Sequence, residues 1–85
     1  MATLKNLTVF VEHTGKRIPV NQIDDQVTAQ EFLSALADKI NLPAGTRGII
    51  TRKMTRKQIL ANQTLREAGV GDEETLIADF DRTAG

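Results

Sequence analysis

The sequence predicts an α+β domain in which a mixed sheet of four to five strands packs on one main helix. Three observations predict it. Alternating apolar residues near the start are followed by a glycine turn and a second alternating run. A single amphipathic helix comes next, opened by a strong start signal. A final alternating run, Thr75 to Phe80, closes the patterned part of the chain.

Leu7 to Val11 reads Leu-Thr-Val-Phe-Val, with Leu7, Val9 and Val11 on one face and Thr8, Phe10 and Glu12 on the other. His13-Thr14-Gly15-Lys16 supplies a turn in which Gly15 can take a positive φ. The second strand fits Lys16 to Ile23, with Ile18 and Val20 sharing a face. Pro19 lacks an amide donor, so its position must lie at an edge or a bulge.

Thr28-Ala29-Gln30-Glu31 has the form of a capping box, and Val27 and Phe32 are spaced for a hydrophobic staple. The helix then runs to about Asn41, with Phe32, Leu33, Leu36, Ala37 and Ile40 as its apolar stripe. Gln30, Ser34 and Asp38 face water, and Asn41 and Pro43 stop the helix. Arg47 to Thr51 is a third strand and Gln58 to Leu60 a short fourth, separated by the basic turn Arg52, Lys53, Arg56, Lys57. Thr64 to Glu67 repeats the capping-box form at a one-turn helix that Gly69 ends, and Gly71-Asp72 is a turn. The expected core is Val9, Val11, Ile18, Val20, Phe32, Leu36, Ile40, Ile50, Leu65 and Leu76.

For these elements to form one sheet, the last strand must slot in parallel beside the first, leaving the helix to cover one face. That is the β-grasp arrangement. The domain is expected to span residues 1–80, with Asp81, Arg82, Thr83, Ala84 and Gly85 as a free, unpatterned tail.

Composition limits the chemistry. In 85 residues, Lys plus Arg and Asp plus Glu both total 11, so the net charge is zero, which argues against bulk attraction to nucleic acid or an anionic membrane. With no cysteine, a disulfide scaffold, a Cys-based zinc site and thiol catalysis are excluded. His13, the single histidine, has no Ser or Cys partner motif and no second metal ligand in register, so it reads as a turn residue. Asp24-Asp25, just before the helix, serves the helix dipole and the turn. The basic turn carries no interleaved aromatic and reads as a solvated loop, with a phosphate or RNA site as the competing reading. No catalytic residue, metal or cofactor is expected, and the free protein is expected to be a cytoplasmic monomer.

Over nearly its whole length the chain resembles ubiquitin. The resemblance rests on Val9-Phe10-Val11 with Thr14-Gly15-Lys16, on Asp25 with Val27-Thr28, and on Leu42-Pro43 after the helix. It continues through Arg47-Gly48-Ile49-Ile50, Thr64-Leu65 and Glu74-Thr75-Leu76. The loop from Arg52 to Lys57 is longer than in ubiquitin. From Thr75 onward the two lengths match without a gap, so the family's terminal glycine falls on Gly85 and its preceding glycine on Ala84. Asp81 stands where ubiquitin has a basic residue read by its activating enzyme, which implies a different activating enzyme here.

The resemblance implies a protein modifier joined through Gly85 to an amine or hydroxyl, in the manner of divergent ubiquitin-like modifiers of bacterial conjugation operons, some tied to antiphage defence. Its implied partners are activating and conjugating enzymes, a deconjugating protease and target proteins. Lys5, Lys16, Lys39, Lys53 and Lys57 are candidate acceptors for chains, none singled out by its context. Strand alternation turns Phe10, Ile49 and Ile77 outward, and the resemblance carries Ile49 and Asp79 onto ubiquitin's recognition face, which Asp79 interrupts. A non-conjugated adaptor and a sulfur carrier remain as alternatives. Ala84 counts against the carrier, because sulfur carriers usually end in two glycines.

Overall fold

The computed structural model describes residues 3–12, 14–42 and 47–80. Its elements are β1 (Thr3–Val11), β2 (Lys16–Asp24), α1 (Ala29–Lys39), β3 (Gly48–Arg52), β4 (Gln58–Ile59) and β5 (Thr75–Phe80). They form one five-stranded sheet in the order β2-β1-β5-β3-β4. β1 and β5 run parallel at its centre, pairing Val9 with Leu76 and Val11 with Ala78, while every other pair is antiparallel. The expected β-grasp topology is present, with all five strands in the sheet. His13, Pro43 and the 81–85 tail lie outside the described residues.

β1 starts earlier than its alternation suggests. Leu4 and Leu7 are both buried although they lie three apart, and Asn6 between them has φ +58°. A left-handed residue redirects the strand, and asparagine accepts that conformation better than most. The hairpin that follows turns on Gly15 at φ +70°, whose N–H donates to Val11 O at 2.8 Å. Pro19 sits on edge strand β2 opposite Thr8, whose own N–H donates toward β5, to Glu74 O. The Thr8–Pro19 pair is therefore not hydrogen-bonded, and the missing donor falls on the open edge of the sheet.

α1 begins as its sequence dictates. Glu31 N–H donates to Thr28 Oγ1 at 3.2 Å, and Thr28 N–H donates to Glu31 Oε1 at 3.0 Å. Two further amides of the first turn, those of Ala29 and Gln30, donate to Gln63 O and Ala61 O. The turn after β4 thus closes the start of the helix. The helix ends at Lys39, two residues short of the expected Asn41. Asn41 takes φ +61° and its N–H folds back onto Asp38 O, so it closes the helix from outside.

The core lies between α1 and one face of the sheet. Val9, Val11, Ile18, Phe32, Leu36, Ile50, Leu65 and Leu76 are buried as expected. Val20 and Ile40 are only half-buried, because one sits on the edge strand and the other at the C-cap of the helix. Thr64 to Glu67 forms its reciprocal capping bonds, at 3.0 and 2.9 Å, but the turn never propagates into a helix.

The expected basic turn needs correction at Arg52. Its guanidinium leaves the turn and binds the buried Glu74, a residue of the acidic stretch before β5. It also donates to Ala68 O at 2.8 Å, so it holds the 64–71 turn against the sheet.

Candidate functional site

The helix and the turns that follow β4 cover one face of the sheet. The other face carries no element among the described residues, and the strand registers fix what it displays. Phe10 on β1 lies beside Ile77 on β5, and Ile77 lies opposite Thr51 on β3. One row along, Asp79 on β5 lies opposite Ile49 on β3. Because side chains alternate along a strand, the burial of Val9, Val11, Leu76, Ala78 and Ile50 on the inner face sends these neighbours outward.

All four residues expected at a protein-binding surface therefore come together on three adjacent strands. They are not equally exposed. Ile49 is 44% exposed and Asp79 is exposed, whereas Phe10 and Ile77 are half-buried. The last two are register partners on neighbouring strands, flanked by the half-buried Thr8, Thr51 and Thr75. The surface is an apolar band across β1, β5 and β3. Glu12, whose N–H donates to Ala78 O, and Asp79 give it an acidic end.

Sequence reading missed one neighbour. β4 continues the β3 register, Ile50 with Ile59 and Thr51 with Gln58, which brings Leu60 alongside Ile49. Leu60 is 59% exposed, and its backbone is fixed by two hydrogen bonds to Gln63. A short apolar run, Gln58 to Leu60, gave no sign of where its pairing would stop.

Among the described residues no group of three or more His, Cys, Asp or Glu side chains is placed to hold a metal ion. No helix is long and apolar enough to cross a membrane. The perturbed ionisable groups belong to the frame. Hydrogen bonds to the Thr28 backbone and side chain lower the pKa of Glu31, and the hydrogen bonds to Glu74 raise that of Arg52. The expected tail, Asp81 to Gly85, follows directly from β5, outside the described residues.

No protein-family model and no curated protein matches the sequence. Solved structures do match the fold. Ubiquitin of Caldiarchaeum subterraneum superposes with a TM-score of 0.76 at 15% identity, over 95% of this chain and 98% of that one. The ubiquitin-like domain of Plasmodium falciparum Dsk2 gives 0.73 at 22% identity, over 92% of this chain and 99% of that one. A protein designed de novo on the basis of ubiquitin gives 0.73 at 17% identity, over 98% and 93%. Strand order, the parallel central pair, the single helix and these superpositions together make this a ubiquitin-like β-grasp fold.

Proposed function

We propose that this protein is a ubiquitin-like modifier, attached to other proteins through Gly85 after activation by an ATP-dependent activating enzyme. The observation that carries the reading is the continuity of the fold with the tail. The strand that ends at Phe80 is central and anchored on both sides, and Gly85 follows five residues later, at the spacing the ubiquitin resemblance requires. The carboxylate of Gly85 attacks ATP, releasing pyrophosphate and forming an acyl-adenylate; a nucleophile then displaces AMP. A residue without a side chain lets the backbone enter a narrow enzyme channel and leaves its carbonyl open to attack. Where the natural chain continues past Gly85, a protease must first expose it. Conjugating and deconjugating enzymes complete the cycle, in the setting of a bacterial conjugation operon with a role in antiphage defence.

A second reading is a non-conjugated adaptor, favoured by the outward band of Phe10, Ile49 and Ile77 beside Asp79. One experiment separates the two. Cells carrying the native gene neighbourhood are examined by intact-mass analysis for conjugates. Under the modifier reading, Gly85→Val or removal of Ala84 and Gly85 abolishes conjugates while the melting curve is unchanged. If conjugates are absent and function survives these changes but fails with Ile49→Ser, the adaptor reading replaces it.

A further inference from the structure

We propose that Thr55 is a phosphorylation site, modified by a serine/threonine kinase whose substrate cleft is acidic. Neither the tail nor the outward band takes part. The proposal starts from which hydroxyl groups an enzyme can reach. Thr3, Thr14, Ser34 and Thr55 are the exposed serine and threonine residues among those described.

All but Thr55 are held by the fold. Thr3 begins β1 and pairs with Asp24 on β2, and Ser34 sits inside α1. Thr14 Oγ1 donates to Val11 O at 3.5 Å. Thr55 lies in the exposed run 53–58, the longest among the described residues. Its Oγ1 accepts the Lys57 N–H at 3.3 Å, as threonine commonly does in a turn, and its own hydroxyl proton is donated to no described residue.

The turn presents this hydroxyl without unfolding. Arg56 N–H donates to Arg52 O at 2.7 Å, and Lys53 N–H donates to Thr75 O at 3.2 Å, so both arms are tied down. Thr55 Oγ1 attacks the γ-phosphorus of ATP, the bond from that phosphorus to the β,γ-bridging oxygen breaks, and ADP leaves. The hydroxyl proton passes to the catalytic carboxylate of the kinase. The product carries about −1.5 to −2 charges at pH 7. The Lys57 N–H already points to the atom that bears the phosphate.

Charge selects the class of enzyme. Residues 47–60 hold Arg47, Arg52, Lys53, Arg56 and Lys57 and no aspartate or glutamate. The Arg52 guanidinium is engaged by Glu74, so the cations around Thr55 that an enzyme can read are Lys53, Arg56 and Lys57, all exposed. A cleft lined with carboxylates complements them, and a basic cleft is repelled. Arg56 is also retained at φ +59°, where glycine or asparagine is at ease and arginine is strained, as expected of a side chain with a use outside the fold. Once phosphate is in place, the same cations face a dianion, and most of the positive charge of the turn is cancelled.

The test incubates the full chain with MgATP and a kinase that prefers basic substrates, and in parallel with one that prefers acidic substrates. Intact mass and fragmentation follow the product. The expected result is one phosphate, on Thr55, added about tenfold faster or more by the first kinase. Thr55→Val abolishes it with the melting curve unchanged, and Lys53→Ala with Lys57→Ala slows it by about the same factor. The ³¹P signal of the product titrates below the ordinary phosphothreonine value of about 6, because the neighbouring cations favour the dianion, and returns toward it in high salt. The chain isolated from its own cells with phosphatases inhibited carries the same mark. Gly85→Val is phosphorylated as the unmodified chain is, so loss of the modifier reading leaves this proposal standing. Phosphate placed on Thr3, Thr14 or Ser34 ahead of Thr55 overturns it. So do equal rates with the two kinases or with the lysine variant, a ³¹P titration that salt does not move, or an unmarked Thr55 in the cells.

Discussion

Arg52 at the end of β3 grips Glu74, the residue before β5, through two parallel hydrogen bonds: Nε to Oε2 at 2.5 Å and Nη2 to Oε1 at 2.9 Å. Glu74 also accepts the Gly71 N–H at 3.0 Å, and Arg52 donates to Ala68 O. One ion pair therefore ties two strands and the turn between them. Arg52→Met leaves a buried carboxylate uncompensated and is expected to cost about 3–5 kcal/mol, toward the lower end because the guanidinium keeps some contact with water. Adding Glu74→Met to it recovers part of that loss. Urea unfolding of both single variants and the double variant measures the coupling; a loss below about 1 kcal/mol for Arg52→Met would make the pair a surface one.

Gly48 is required by close packing. A Cβ built there would lie 3.0 Å from Phe80 Cδ1, 3.1 Å from Leu33 Cδ2 and 3.2 Å from Asp79 O. The side chains can shift a little, but the strand carbonyl cannot without disturbing the β3–β5 ladder. Gly48→Ala is expected to destabilise by about 1–3 kcal/mol, the range for overpacking. Gly71→Ala, where a Cβ meets nothing within 4 Å, is the control. Thermal melts of the two variants should separate clearly.

The helix start carries a pH signature. Its bonds to Thr28 hold the exposed Glu31 below the ordinary glutamate pKa. A group whose pKa is lowered by folding stabilises the native state above its unfolded pKa, and that contribution fades as pH falls through the lowered value. Comparing the unmodified chain with Glu31→Gln across an acid titration should therefore show a stability gap at neutral pH that closes in acid. A gap that widens in acid would refute the assignment. Thr28→Ala, which removes the other half of the box, should cost about 0.5–2 kcal/mol.

Leu36 is 3% exposed at the middle of the only helix described. Leu36→Ala should cost about 2–5 kcal/mol through lost burial and the cavity left behind. Denaturant unfolding checks it, and a loss well under 1 kcal/mol would mean that the helix packs on the sheet through other residues.

What the sequence disclosed was mostly local. Thr28 and Glu31 lie three apart, and so do Thr64 and Glu67, and both pairs make the bonds their spacing implies. Alternation placed Val9, Val11, Leu76 and Phe10 on their correct faces because extended strands obey a period of two. It failed at Leu4, where left-handed Asn6 interrupts the period. Arg52 was read with its lysine-rich neighbours because nothing nearby in the chain hints at a partner 22 residues away. Leu60 was assigned to a strand because an apolar run carries no mark of where its ladder ends. The outward band followed from alternation, but the pairing of Phe10 with Ile77 across β1 and β5 is a long-range register that no single segment contains.

β5 lies between β1 and β3, yet it is the last of the described strands in chain order. During synthesis, β1 has no parallel neighbour and β3 lacks its main partner until Thr75 to Phe80 has been made. Before then the β1–β2 hairpin can form and α1 can begin to coil, but neither can close a core. The core can therefore close only after nearly all of the domain has left the ribosome, and the β1–β5 pairing is a long-range contact of the kind that slows folding. Until that moment the nascent chain exposes both inner strand edges, and chaperones have their longest claim on it in that interval.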